Sequence, residues 1–186
     1  FYPTADSNEI NRIVTFNYME RVWSVGTLSR TTWVDKGAFD KPYATLYSSS
    51  STTAATPTVQ GVTAGRTTFY AQETGNNADG STMTASLTSG DFTLDGTGND
   101  LLSLSRFIPD FKALTGDIEV TINLRDYPAD SRSSSPLGPF TIDSTTTKID
   151  TRARGRQVSI KLDSSGTNDS WRFGTFRAGI QPSGRR

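Results

Sequence analysis

The sequence contains no cysteine and no histidine among its 186 residues. Without cysteine there is no disulfide framework, no thiol nucleophile and no Cys-ligated zinc site. Without histidine the chain lacks the commonest general base and metal ligand, so a Ser-His-Asp triad cannot be assembled from it. Catalysis would depend on carboxylates, lysine, tyrosine or arginine. We therefore expect a protein that is not an enzyme and has no cofactor or metal site.

Apolar residues are scarce, because they make up only 33% of the chain, while Ser and Thr together contribute 50 residues. The net charge is zero, however, and 10 Phe, 6 Tyr and 3 Trp are present. Low hydrophobicity without a high net charge favours a thinly cored fold of many short strands over a disordered chain. No apolar run approaches the roughly 20 residues that cross a bilayer, so we expect no membrane partner.

Residues 10–34 have the pattern of consecutive short strands. Apolar and polar residues alternate over 14–18, which is the period of a strand with one buried face. A polar corner at 17–20 separates this strand from a second one that contains Trp23, and a third strand surrounds Trp33. These features predict a first β domain over residues 1–47.

Residues 48–65, SSSSTTAATPTVQGVTAG, contain no charged residue and few large apolar side chains that could pack in a core. This composition is typical of a flexible linker, and the alternative is a long loop folded over a sheet. We place the boundary between two domains here. The second domain is then expected to cover residues 66–186.

The second domain shows more regular strand signals, and no stretch has helical periodicity. The clearest strand is 118–124, where four aliphatic residues alternate with polar ones. Similar runs at 67–73, 83–88, 102–108, 140–142, 158–162 and 171–173 are separated mostly by turn clusters such as TGNNADGS and LDGTGND. We expect an all-β fold, with an antiparallel β-sandwich in this domain.

Charge is distributed unevenly along the chain. Residues 148–186 contain 9 basic and 3 acidic residues, whereas the rest contains 10 basic and 16 acidic residues. Within DTRARGRQVSIKL, the side chains of Arg152, Arg154 and Arg156 would project from one face of a strand. If that strand continued, Val158 would share their face. Either Gly155 then marks a bulge that resets the register, or the arginine end of the strand protrudes past the core onto a partner. The three arginines have three possible roles: pairing with local aspartates, forming a subunit interface, or contacting phosphate.

Several segments resemble the C-terminal region of the nozzle, or tail-hub, proteins of short-tailed bacteriophages. They are TGNNADGSTMTA (74–85), FIPDF (107–111), LRDYP (124–128), LGPFTI (137–142), STTTKIDTRARGRQVSIKL (144–162) and WRFGTFRAGIQPSGRR (171–186). The segment NRIVTFNYMERVWSVGTLSRTTW (11–33) is similar to a β-propeller blade of these proteins, with Trp in mid-strand. At roughly 40–50 residues per blade, residues 1–47 cannot hold a whole propeller, so we expect them to be the end of a truncated one.

The resemblance implies a structural virion protein of the phage tail. Such proteins form a homohexameric ring below the portal and adaptor, and this ring builds the lower tail conduit through which the genome leaves. The expected partners are therefore identical subunits, the adaptor or portal, other tail proteins and DNA in transit. The resemblance carries over no catalytic residue. In such a ring, the subunit-interface role left open above makes Arg152, Arg154 and Arg156 the candidate interface residues.

The alternative is a carbohydrate-binding or adhesin-like β-sandwich module, which would use a similar composition. The two hypotheses assign different roles to Trp23, Trp33 and Trp171. In a structural subunit these side chains pack in the core or between blades, whereas in a binding module they form exposed platforms for sugar rings. A polysaccharide depolymerase is a third hypothesis, for which acidic pairs such as Asp91 and Asp95 would be candidates.

Overall fold

The computed structural model describes residues 1–48, 58–59, 62–63, 66–131 and 136–184. These residues form sixteen strands and no helix, which confirms the expected all-β class. It follows that the described part of the chain contains no helix that could span a membrane. The chain divides into two compact units, Phe1–Thr74 and Gly75–Arg186.

The first unit contains three small antiparallel sheets. Its strands are β1 (Arg12–Asn17), β2 (Val22–Thr27), β3 (Thr32–Val34), β4 (Tyr43–Ser48), β5 (Thr58–Val59), β6 (Val62–Thr63) and β7 (Arg66–Ala71). Strands β1 and β2 pair in a hairpin, β3, β4 and β7 form a three-stranded sheet in that order, and β5 pairs with β6. A propeller blade has four strands. Because the described sheets of this unit have two or three, its assignment to a propeller stays a prediction.

The β1–β2 hairpin turns at the polar corner that the sequence indicates. The Asn17 side-chain oxygen accepts hydrogen bonds from the backbone N–H groups of Met19 (3.1 Å) and Glu20 (3.2 Å). Arg21 adopts a positive φ of 57° and leads the chain into β2. One amide side chain therefore satisfies two turn donors that the hairpin ladder leaves unpaired.

The boundary between the units lies later in the chain than expected. We placed the start of the second domain at Arg66, but β7 begins there and pairs along its whole length with β4. This pairing makes β7 part of the first unit, which ends at Thr74. Most of the proposed linker, residues 48–65, lies outside the described residues, and its described parts are Ser48 and the short strands β5 and β6.

The second unit contains two larger sheets and one strand pair. Its strands are β8 (Ala85–Thr88), β9 (Leu102–Ile108), β10 (Phe111–Thr115), β11 (Ile118–Arg125), β12 (Leu137–Ile142), β13 (Ile149–Gly155), β14 (Gln157–Ser164), β15 (Ser170–Phe173) and β16 (Arg177–Pro182). One sheet has the order β12-β11-β14-β8, and the other has the order β13-β9-β16. Strand β10 pairs with β15.

The two larger sheets share one hydrophobic core, as the two layers of a sandwich do. The buried cluster draws residues from both sheets: Leu102, Leu104, Phe107, Ile118, Val120, Ile122, Ile142, Ala153, Val158, Ile160 and Leu162. Along β11, Ile118, Val120 and Ile122 are buried while Glu119 is exposed, because successive side chains of a strand point to opposite faces. The sequence pattern therefore predicts which face of β11 is buried.

The chain crosses from one sheet to the other at Arg156. Strand β13 ends at Gly155 in the three-stranded sheet, and β14 begins at Gln157 in the four-stranded sheet. The register of the arginines therefore does not continue into Val158, as one uninterrupted strand would require. A bulge at Gly155 was one of the two alternatives, and the register changes instead at a corner between two strands of different sheets.

Candidate functional site

Arg152 and Arg154 project from the exposed face of β13, and Ala153 between them is only 1% exposed. This alternation places a pair of guanidinium groups on the surface directly above the core of the sandwich. Arg154 donates a hydrogen bond to the Ser183 carbonyl (3.0 Å). Strand β13 lies at one side of its sheet, so these side chains stand where a neighbouring molecule has access to them.

Arg156 is separated from the other two arginines by the corner. Its backbone N–H donates to the Arg125 carbonyl (3.2 Å), and its guanidinium donates to the Asn99 carbonyl. Arg156 follows the last residue of β13, so it does not belong to the strand face of Arg152 and Arg154, although its side chain lines a cavity together with Arg154. Its guanidinium helps to hold the corner against two neighbouring segments.

The nearest aspartate on β13 is already paired with other cations. Asp150 accepts hydrogen bonds from Lys148 (2.6 Å) and Arg106 (3.0 Å), and these two contacts lower its pKa below the ordinary value. Two positive charges thus surround one carboxylate. The surface of Arg152 and Arg154 keeps a positive charge that Asp150 does not neutralise.

A polar groove beside the corner adds residues that the sequence analysis did not select. Arg154, Arg156, Asp126 and Tyr127 line a cavity of about 280 Å³, and a neighbouring cavity of about 560 Å³ shares Asp126, Tyr127 and Arg156. Tyr127 is 63% exposed. Tyrosine and arginine are enriched at the energetic centres of protein interfaces. The segment LRDYP was noted only for its resemblance, and nothing in its spacing placed Tyr127 beside the arginines.

The loop that carries Tyr127 is fixed by Arg125 at the end of β11. The Arg125 guanidinium pairs with Asp91 and donates to the Gln157 side-chain oxygen (2.6 Å) and to the Pro128 carbonyl (2.9 Å). Both charged side chains of this pair are largely buried, with 17% and 11% exposed. These contacts of Arg125 therefore hold in place the loop that carries Tyr127 and lines the groove. Asp91, which we considered as half of an acidic catalytic pair, has this structural partner.

A second surface is the apolar face of the β1–β2 hairpin, which we define as Val14, Phe16, Trp23 and Val25. Cross-strand pairing of Val14 with Val25 and of Phe16 with Trp23 brings all four side chains to one face. The Phe16 and Trp23 rings lie 4.5 Å apart at 32°, and the exposed fractions reach 70% for Trp23 and 76% for Val25. The strand pattern that predicted a buried face is present, but the described residues leave this face in solvent.

The other two tryptophans have different surroundings. Trp33 in β3 is half-buried, lies 5.1 Å from the Phe1 ring and donates its indole N–H to Asp35 (2.6 Å). Trp171 in β15 packs against the sandwich core and donates to the Ser164 hydroxyl (2.9 Å). Of the three candidate packing aromatics, Trp171 therefore contacts a core, whereas Trp23 is largely exposed.

In the segments TGNNADGS and LDGTGND, aspartate or asparagine side chains accept hydrogen bonds from the backbone N–H groups of turns. Asp95 accepts from the hydroxyl and the N–H of Thr97 and from the N–H of Gly98, and these bonds lower its pKa to about 2. Asn77 accepts from the N–H of Gly80 (2.8 Å). Within the described residues, no three acidic side chains converge in a way that could hold a metal ion. These carboxyl and amide groups organise the loops.

Comparison of the chain with models of known protein families and with curated proteins finds no match.

Proposed function

We propose that this chain is a structural subunit of a phage tail, forming part of a ring of identical subunits at the nozzle or tail hub. The proposal starts from the resemblance of the segments quoted above. One observation in the fold carries it furthest, namely the apolar face of the hairpin that the described residues leave uncovered. The proposed partners are the neighbouring subunits, the adjoining portal or adaptor and other tail proteins, and the lumen of the ring passes the genome.

An apolar face of this kind indicates a surface that is covered in the assembled protein. Val14, Phe16, Trp23 and Val25 form a contiguous patch on one side of a two-stranded sheet. Isolated two-stranded hairpins are marginally stable in water, and contiguous exposed apolar patches mark interaction sites. Packing against a neighbouring subunit removes this patch from water and stabilises the hairpin at the same time.

The charge distribution supports contacts between subunits as well. Arg152 and Arg154 are exposed on the segment with an excess of basic residues, whereas the rest of the chain has an excess of acidic residues. Opposite charges on two different surfaces of one subunit favour a head-to-tail contact, which is the kind of contact that closes a ring. A conduit for DNA also requires a surface without a strong grip on phosphate, and a net charge of zero suits that requirement.

Native mass spectrometry of the assembly isolated from its source tests this proposal. We expect a closed ring, six subunits by the resemblance, and we expect Trp23→Ser with Val25→Asp to release free subunits. Ser24→Asp is the matched control, because Ser24 lies in the same strand on the opposite face. Arg154→Glu is expected to weaken the ring while the fold is retained. If the sample without substitutions contains a monomer of 20.2 kDa and no ring, the proposal is overturned.

The alternative function, a carbohydrate-binding or adhesin-like module, is favoured by one specific observation. The neighbouring rings of Phe16 and Trp23 form an exposed aromatic platform of the kind that stacks on sugar rings. Acrylamide quenching separates the two functions. In the intact assembly a structural role predicts that Trp23 is shielded, whereas a binding role predicts that quenching falls when a glycan is added.

A further inference from the structure

Among the described residues, strand β8 pairs with β14 alone and so forms an edge of the four-stranded sheet. The Ser89 N–H donates to the Ile160 carbonyl, so alternate residues before it, including Leu87, also direct their backbone groups toward β14. The N–H and C=O groups of Ser86 and Thr88 therefore point away from the sheet. Among the described residues these outward groups have no hydrogen-bond partner.

An apolar cavity of about 330 Å³ lies directly beside this edge, and its lining includes residues of β8, β14 and β15. Its wall is formed by Leu87, Phe92, Ile160, Leu162, Phe173 and Phe176, together with Ser89. Leu87 pairs directly with the buried Leu162, so it lies on the core side of the sheet, and its side chain is still 45% exposed. A side chain that enters beside Leu87 would complete the core at this point.

The edge also lacks two of the features that keep sheet edges apart. Ala85, Ser86, Leu87 and Thr88 include no charge and no proline, although both are common devices against edge-to-edge pairing. The nearest charged side chains on β14, Lys161 and Asp163, form an ion pair with each other (2.8 Å). The residues of β8 therefore place no charge in the path of an incoming strand.

We propose that β8 is the docking edge for an extended strand of another protein, which adds to the sheet and inserts one large apolar side chain into the cavity beside Leu87. The backbone of the strand would bond to Ser86 and Thr88, and this supplies affinity. The cavity selects an apolar residue, and the neutral edge selects a segment that is uncharged at its centre. This inference does not rest on the proposed ring.

A second copy of the chain fits this edge less well. In the symmetric pairing of two β8 strands that bonds Ser86 to Thr88 of the second copy, the side chain facing Leu87 would be Leu87 of that copy, which already lines a cavity of its own. Pairing of β8 with β2 of a second copy would direct the apolar side chains of β2 to the wrong face of the sheet. Leu28 N–H bonds to the Asn11 carbonyl, so the outward backbone groups of β2 belong to Trp23 and Val25. If the backbone groups of Trp23 and Val25 bonded to Ser86 and Thr88, the side chains of Trp23 and Val25 would lie on the face of the sheet opposite the cavity.

Peptide binding to the full chain tests the proposal. The probe is a fluorescein-labelled peptide with the sequence GDIEVTINLRD, which is residues 116–126 and alternates apolar and polar residues around an uncharged centre. We expect saturable binding by fluorescence anisotropy. Thr88→Pro removes an outward N–H without breaking a bond to β14, and it should weaken binding at least about tenfold, whereas Thr88→Val should not. The peptide with Ile122→Asp and Val120→Asp should bind at least about tenfold more weakly too.

Three results would overturn the proposal. The first is that the probe does not bind, and the second is that it binds the wild-type chain and the folded Thr88→Pro variant equally. The third is self-association in sedimentation velocity that Thr88→Pro abolishes, because the occupant of the edge would then be a second copy. Circular dichroism of each variant shows that the fold is retained. Leu87→Arg, which places a charge at the mouth of the cavity, is a second variant that should lower the affinity.

Discussion

The two units of this chain bury their apolar residues to very different extents. In the described part of Phe1–Thr74, Ala44 is the one buried hydrophobic residue, whereas Gly75–Arg186 contains twelve. Among the residues whose exposure the structure describes, the first unit instead exposes thirteen large hydrophobic residues, and the second exposes five. Both units are built of antiparallel strands. The comparison teaches that strand pairing alone does not make a core, and it predicts that the second unit contributes most of the stability of the free chain.

The sharpest test of this contrast substitutes one aromatic residue in each unit. Phe107 is fully buried and stacks on Phe176 at 5.0 Å, so Phe107→Ala should lower the free energy of unfolding by about 3–5 kcal/mol. Phe16→Ala on the exposed hairpin face should change it by less than about 1 kcal/mol in the free subunit. Urea denaturation measures both values. Equal losses at the two positions would contradict the contrast between the units.

The buried ion pair of the second unit should have the next largest effect. Arg125→Ala leaves Asp91 without its main cation in a site that is mostly shielded from water, and we expect a loss of about 2 kcal/mol, reduced from the fully buried case by partial solvent access. The matched control is Arg152→Ala, an exposed arginine expected to change stability by at most about 0.5 kcal/mol. Thermal unfolding compares the two. If Arg125→Ala left the unfolding temperature unchanged, the contacts of Arg125 with Gln157 and Pro128 would not contribute to stability.

A smaller effect is expected in the first unit, at the hairpin turn. Asn17→Ala removes the acceptor for the N–H groups of Met19 and Glu20, and should destabilise the hairpin by about 1 kcal/mol. Asn17→Asp keeps an acceptor oxygen and serves as the control. Hydrogen exchange of the β2 amides that face β1 should become faster, while exchange in the second unit stays unchanged. A change in both units would show that they do not unfold independently.

The smallest effect concerns pH and the turns of the second unit. Hydrogen bonds from Thr97 and Gly98 lower the pKa of Asp95 from the ordinary 3.8 to about 2, and those from Thr146 and Thr145 lower the pKa of Asp143 to about 2. Both carboxylates bind fewer protons folded than unfolded. Their contribution to stability is therefore present above pH 3.8 and disappears as pH falls toward 2. Carboxyl NMR titration measures both pKa values, and Thr97→Val should raise that of Asp95 alone.

Much of the second unit was predictable because its side chains obey the two-residue period. Strands β9, β11 and β14 lie where alternation or apolar runs place them, and the turn between β1 and β2 lies at its polar corner. Local patterns carry this information, since burial on one face and the chemistry of the turn are both local. The first unit shows the same alternation over 14–18, yet its apolar face is exposed. Alternation shows which residues share a face, but it does not show whether another element covers that face.

The candidate site depended on contacts between distant segments, and these were not predictable from one sequence. The corner at Arg156 separates two strands that read as one continuous run, because nothing in RGRQV distinguishes a bulge from a change of sheet. The pairing of β7 with β4 reaches across a segment with no charged residue. Tyr127 lies beside Arg154 and Arg156 only because the loop after β11 folds back against the corner. No spacing in the chain encodes that proximity.

The single-residue corner at Arg156 also has a mechanical consequence. Because β13 and β14 belong to different layers and only one residue joins them, the covalent backbone ties the two layers together at that point. A force that shears one sheet over the other must first strain this tether, whereas a long loop would let the layers slide before it became taut. Each layer thereby limits the travel of the other. Mechanical load at this end of the sandwich passes through the main chain before it reaches the packed core.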